Sequence, residues 1–244
     1  MISLPERSVI PYLTAGWPAE QAFLEAAAAA GRAGCPLFEV GIPFSDPVAD
    51  GPTIQRASQQ ALESGVTVER SLELIRRAVE LSGIPAVAMT YANLVYRRGY
   101  EKFCQDLAAA GGVGLIVPDL PLEESDELEG ASQKAGIDLI QLATPTTPVQ
   151  RLELLGRRSR GFLYLVSVRG VTGSRGQLAE NLDELIARAV ASSRVPVCVG
   201  FGISTPDQVR QVTRQARGVI VGSALLERLE RGEDVEAYLR GLTC

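Results

Sequence analysis

A (β/α)₈ barrel is the fold that this sequence predicts, on three observations. Short apolar, β-branched runs alternate with longer stretches of helical periodicity. The alternation recurs eight times within 244 residues. The loops following the runs are rich in glycine, proline and polar residues. Alternating strands and helices imply parallel strands, and eight units at this length make a closed barrel. No low-complexity segment or linker interrupts residues 1–244, so one barrel domain is expected over the whole chain. An open doubly wound sheet would show GxGxxG after its first strand, and LTAGWP stands there instead.

The first strand is predicted at 9–14, followed by a helix over 18–33 whose alanine run, 26–30, favours helix strongly. A short strand, 37–40, comes next and carries Glu39. Residues 53–82 keep a helical period and are expected to form two helices broken at Gly65. The strand at 86–91 leads into TYANLVYRRG, which reads as a loop, and then a helix over 99–110. Strands at 114–117 and 137–142 flank a helix over 123–135. A helix over 148–157 begins at Pro148, a residue suited to a helix start. The strand at 162–167 precedes a helix over 181–191, and the strand at 195–200 one over 206–214. The last strand, 218–221, is followed by a helix over 224–240 interrupted near Gly232.

Composition removes several function classes. A net charge of −5 and a pI near 5.0 give no basic face for nucleic acid. Histidine is absent, which excludes Ser-His-Asp triads, Cys-His nucleophiles and most zinc sites. The two lysines, Lys102 and Lys134, fall in amphipathic helical segments, not in pockets suited to Schiff bases. Cys35, Cys104, Cys198 and Cys244 are scattered without CxxC spacing, as expected of a reduced, cytoplasmic protein. No signal peptide or apolar run of membrane-spanning length is apparent. Carboxylates, hydroxyls, arginines and backbone amides are left to carry any chemistry.

The segment FEVGIPFSDPVADGPTIQ, residues 38–55, is the richest in the chain. It places Glu39 inside an apolar strand, where a charge costs several kcal/mol unless paired or neutralised. Asp46 and Asp50 follow on a loop stiffened by prolines and glycines. A strand carboxylate and a loop carboxylate in different surroundings are the makings of an acid/base pair. A buried Glu satisfied by backbone, beside a solvated turn, is the plainer alternative. The loops after the sixth, seventh and eighth strands carry Val171-Thr172-Gly173, Phe201-Gly202-Ile203-Ser204 and Gly222-Ser223. Free amides of this kind at barrel strand ends suit a phosphate, with no lysine needed. Three tight turns without a ligand are the other reading.

Together with PYLTAGWP, MTYANLVY, IVPDLP, the VTG loop, GFGIS and VGSA, this segment closely resembles the tryptophan synthase α-subunit family, collinearly over nearly the whole chain. The resemblance implies retro-aldol cleavage of indole-3-glycerol phosphate to indole and glyceraldehyde 3-phosphate in tryptophan biosynthesis. It implies no cofactor or metal in this chain. It also implies a partner β subunit, carrying pyridoxal phosphate, in an α₂β₂ complex. By motif, Glu39 and Asp50 match the family's catalytic carboxylates, and Asp46 a loop aspartate facing the partner. Tyr12, Met89, Tyr91, Leu142, Tyr164 and Phe201 match the walls of the substrate site, and Thr172 the loop that closes over it. Gly173, Gly202, Gly222 and Ser223 match phosphate-binding positions. MISLPER is too short for the helix that covers the barrel's bottom in that family, so this helix is expected to be shortened or missing. Trp17 stands where the family often has aspartate, and Arg169 is displaced by one from the usual loop arginine. A stand-alone lyase and a catalytically dispensable activator of a β subunit remain as alternative readings.

Overall fold

The computed structural model describes residues 2–166, 182–200 and 202–243, and within them eight parallel strands close a barrel in chain order. The strands are β1 (Ser8–Thr14), β2 (Phe38–Gly41), β3 (Ala86–Met89), β4 (Gly112–Ile116), β5 (Asp138–Ala143), β6 (Leu163–Val166), β7 (Val197–Gly200) and β8 (Gly218–Val221), with β8 paired back onto β1. Strand period two gives each strand a lumenal and a helix-facing side. Tyr12, Glu39 and Val87 share one register row across β1, β2 and β3. Phe38 and Val40 take the opposite side and are fully buried.

The helices are α1 (Glu20–Arg32), α2 (Pro52–Glu63), α3 (Val68–Ser82), α4 (Ala92–Arg98), α5 (Tyr100–Ala109), α6 (Asp126–Ala135), α7 (Val149–Arg158), α8 (Leu182–Ser192), α9 (Pro206–Val212), α10 (Ser223–Glu230) and α11 (Val235–Thr243). All of them but α4 follow where the apolar periodicity placed them. The break at Gly65 separates α2 from α3, and Thr67 caps α3 by accepting from the Arg70 amide at 3.2 Å. Thr205 and Gln208 form a capping box on α9. None of the described helices is long and apolar enough to cross a membrane.

One region differs from expectation. The third strand stops at Met89, and the expected loop after it holds α4, a seven-residue helix that buries only Val95. So short a helix with one inward residue has no readable apolar stripe. Its first turn is fixed from outside, by Asp119 Oδ1 accepting from the Ala92 amide at 2.8 Å. At the barrel's bottom no helix precedes β1 among the described residues. An extended segment carries Leu4 into the core, and the Ile2 amide donates to the buried Asp138 carboxylate at 2.7 Å. The Ile2 side chain lies where β-carbons on Gly114 and Gly161 would crowd it, so it fills the floor under β4 to β6.

Candidate active site

Glu39 sits in the lumen with 1% of its surface exposed, and neither carboxylate oxygen has a hydrogen-bond partner. Desolvation is the main cause and the nearby Asp50 charge the second, and together they push its carboxyl up to about 8. The side chain is therefore mostly protonated near neutrality. A buried carboxyl is costly without a partner, and no neighbouring backbone group supplies one to Glu39, contrary to the plainer reading of a backbone-satisfied glutamate.

Asp50 comes from the loop between β2 and α2. That loop is folded by two close backbone bonds, Val48 N–H to Asp46 O at 2.9 Å and Asp50 N–H to Pro47 O at 3.2 Å. Gln55 reaches back from α2 to the Asp50 carbonyl at 2.9 Å. The Tyr91 hydroxyl donates to Asp50 Oδ2 at 3.0 Å and accepts from the Ala49 amide at 3.1 Å. The Phe44 ring stacks on Tyr91 with centroids 5.0 Å apart. Burial raises the Asp50 carboxyl to about 6, and the Tyr91 hydrogen bond acts against that rise. Asp50 thus stays mainly ionised at neutral pH, while Glu39 does not.

Tyr12 and Tyr164 complete the lumenal face. Both are buried, both feel the charges of Glu39 and Asp50, and both phenols are pushed well above the usual tyrosine range, chiefly by desolvation. Each ring lies across a strand glycine. A β-carbon on Gly41 would stand 2.7 Å from Tyr12 Cζ, and one on Gly200 2.6 Å from Tyr164 Cζ. Glycine at these two positions is what admits the rings. Leu142 is paired in register with Tyr164, and Met89 with Gly41, so both belong to the same lumenal side.

At the end of β8, Gly222 is the residue preceding α10 and Ser223 is its first. A β-carbon at Gly222 would meet Ile54 Cδ1 at 3.6 Å and Tyr12 Cβ at 3.7 Å, so this helix start borders the carboxylate pocket. The first amides of α10 have no acceptor within the helix, as at any helix start. Gly202 adopts φ +85°, a left-handed turn after β7. It lies ahead of the Thr205 cap rather than at a helix start. Thr172, Gly173, Phe201 and Arg169 lie outside the described residues. Asp46 is exposed, and its carboxylate accepts from the Ser45 hydroxyl at 2.5 Å. Trp17 is buried, and its indole N–H donates to Gln60 Oε1 at 2.6 Å.

Sequence reasoning took Tyr91 only as a wall and missed Phe44 and Ile54. The hydroxyl bond from Tyr91 to Asp50 joins residues 41 positions apart, which no local pattern reveals. Ile54 was legible in one respect, as the apolar residue in the first turn of α2 directly after the loop. Among the described residues no three His, Cys, Asp or Glu side chains come together where they could hold a metal ion.

Known proteins resemble this chain in sequence and fold. The family profile described as tryptophan synthase alpha chain matches residues 3–242. The tryptophan synthase alpha chain of Chloroflexus aurantiacus is 49% identical over 96% of this chain and 91% of its own length. That of Dehalococcoides mccartyi is 43% identical over 97% and 94%. Among solved structures, a chain of the α₂β₂ tryptophan synthase complex of Pyrococcus furiosus superimposes with a TM-score of 0.90 at 37% identity, over 99% of this chain and 98% of that one. Tryptophan synthase of Mycobacterium tuberculosis gives 0.87 at 42% identity, over 98% and 91%. The closed parallel barrel, the lumenal carboxylates and these likenesses agree, and this chain belongs to the tryptophan synthase alpha chain family, the lyases that cleave indole-3-glycerol phosphate.

Proposed function

We propose that Glu39 and Asp50 carry this cleavage between them, and that the observation favouring it is their opposed protonation in one pocket. The substrate is an indole bearing a hydroxylated glycerol phosphate chain at C3. Protonating C3 makes the ring an electron sink. The bond from C3 to the carbinol carbon then breaks, its electron pair passes into the ring, and the carbinol hydroxyl loses its proton to give the aldehyde. One proton is given and one taken, so a single carboxyl can do both and return to its starting state. Glu39, protonated near neutrality and unpaired, is suited to that cycle. Asp50, ionised, suits the positive charge that develops at the ring nitrogen.

Tyr12, Met89, Leu142 and Tyr164 are the proposed walls around the ring, with Phe201 and Thr172 as further contacts. Gly222, Ser223, Gly202 and Gly173 are the proposed phosphate site, supported at Gly222 by the open start of α10 beside the pocket. The proposed partner is a β subunit that receives the indole, and the Pyrococcus relative belongs to an α₂β₂ complex. Asp46 and the exposed Val48 beside it are the proposed docking points. The cytoplasm, where the reduced cysteines would persist, is the proposed location. The test is incubation with indole-3-glycerol phosphate while indole is followed, with and without a β subunit, for wild type, Glu39→Gln and Asp50→Asn. Indole release by wild type and its collapse in both variants is the expected result. Undiminished release by Glu39→Gln would overturn the assignment.

A further inference from the structure

We propose that Tyr91 is a positioning residue that holds Asp50 in place through its hydroxyl, and that Asp119 in turn holds Tyr91. The hydroxyl makes two bonds into one loop, donating to Asp50 Oδ2 and accepting from the Ala49 amide. It therefore fixes both the carboxylate and the backbone immediately before it. Phe44, from the start of the same loop, stacks on the Tyr91 ring and keeps it from swinging away. The loop is otherwise exposed on its outer side, where Ser45, Asp46 and Val48 face solvent. Tyr91 is thus the anchor that turns a surface loop into a set position for a catalytic group.

Tyr91 needs an anchor of its own, because it is the residue preceding α4 and has no capping side chain. Asp119, on the loop after β4, supplies one by accepting from the Ala92 amide. This explains the aspartate of the IVPDLP run, which the proposed chemistry leaves unused. The brace runs from β4 through β3 to the β2 loop, across three neighbouring strands of the barrel. It rests on the reading of Asp50 as the ionised member of the pair.

Asp50 faces Glu39 from β2, Tyr12 from β1 and Tyr164 from β6 besides Tyr91, and Tyr91 faces Asp119. Of these, Tyr91 favours the charged form of Asp50 by donating to it. Removing that bond is expected to move the acid limb of the pH–rate profile upward by up to about one unit, in line with a net hydrogen bond of moderate strength. Tyr91→Phe keeps the ring and hence the wall, so KM should change little, while kcat falls by up to about tenfold. Asp119→Ala should move limb and kcat in the same direction but less, and Asp119→Asn, which keeps an acceptor oxygen, should stay near wild type.

The experiment measures kcat, KM and the acid limb for these three variants and Asp50→Asn, in full-length protein with indole-3-glycerol phosphate, together with thermal unfolding. An upward acid limb with little-changed KM in Tyr91→Phe and Asp119→Ala supports the brace. Loss of thermal stability with an unmoved limb overturns it and leaves Tyr91 and Asp119 as fold residues. An inactive Asp50→Asn beside an unaltered Tyr91→Phe also overturns the brace while sparing the role of Asp50. A fully active Asp50→Asn removes both.

Discussion

Replacing Glu39 by glutamine should abolish most turnover and make folding stability fall less steeply as pH rises. The carboxyl is raised from an ordinary value of 4.5 to about 8 by desolvation and by Asp50. Between those two values the folded protein still binds the proton that the unfolded chain has released. Folding stability must then decline as pH climbs from about 4.5 to about 8. The gap of about 3.5 units, at about 1.4 kcal/mol per unit, sets a ceiling of about 5 kcal/mol on the loss. Local relaxation brings an effective value of roughly 2–5 kcal/mol. Glutamine keeps the shape and does not titrate, although its buried amide costs about 1–3 kcal/mol at every pH. The informative quantity is consequently the change with pH and not the offset. Asp50 is raised too, to about 6, by burial in the first place. Its contribution runs in the same direction in both proteins and largely cancels. Urea unfolding of wild type and Glu39→Gln at about pH 5.5 and about pH 8.5 reads the difference. About 2.5 of those units fall inside that interval, so the variant should gain on wild type by up to about 3 kcal/mol across it, while turnover drops by about 10²-fold or more. Parallel stability profiles would mean that Glu39 is not held protonated in the fold, and a variant with a tenth of wild-type turnover would end its assignment as the proton carrier.

Asp50→Asn should lower kcat by the equivalent of roughly 3–4 kcal/mol with KM little altered, since an amide cannot balance charge on the indole nitrogen. An effect confined to KM would make Asp50 a binding residue. Gly222→Val should weaken competitive inhibition by glycerol phosphate analogues, because branched bulk there meets Ile54 and Tyr12 and obstructs approach to the α10 amides. An unchanged inhibition constant would put the phosphate elsewhere. Gly41→Ala should destabilise the barrel by about 1–3 kcal/mol, since the Tyr12 ring has to leave its seat on that glycine. Thermal unfolding checks it, and an unperturbed Tm would contradict the packing. Asp46→Ala, titrated with a β subunit while indole is followed, should need more β subunit for the same activation, and identical titrations would take Asp46 out of the docking surface.

The architecture was written in local patterns that survive reading one segment at a time. Short apolar, β-branched runs alternating with period-3.6 spacing mark eight strand-helix units, the breaks at Gly65 and Gly232 separate the helices where they occur, and parallel strands in that number close on themselves. The short α4 escaped because one buried residue makes no stripe, and because its cap comes from Asp119, 27 positions away. The two carboxylates stood out for the same local reason, a charge in an apolar strand and an acid on a proline-bound loop. What they do to each other did not. Desolvation depends on every atom packed around a group, so the values near 8 for Glu39 and near 6 for Asp50 exist only once the barrel is closed. The seats of Tyr12 on Gly41 and Tyr164 on Gly200, and the bond from Tyr91 to Asp50, likewise join strands and loops far apart in the chain. Sequence determines which groups are present and which side of a strand they take. Their distances, their dielectric surroundings and therefore their protonation are set by the tertiary structure, because electrostatic energy depends on separation in space and not along the chain.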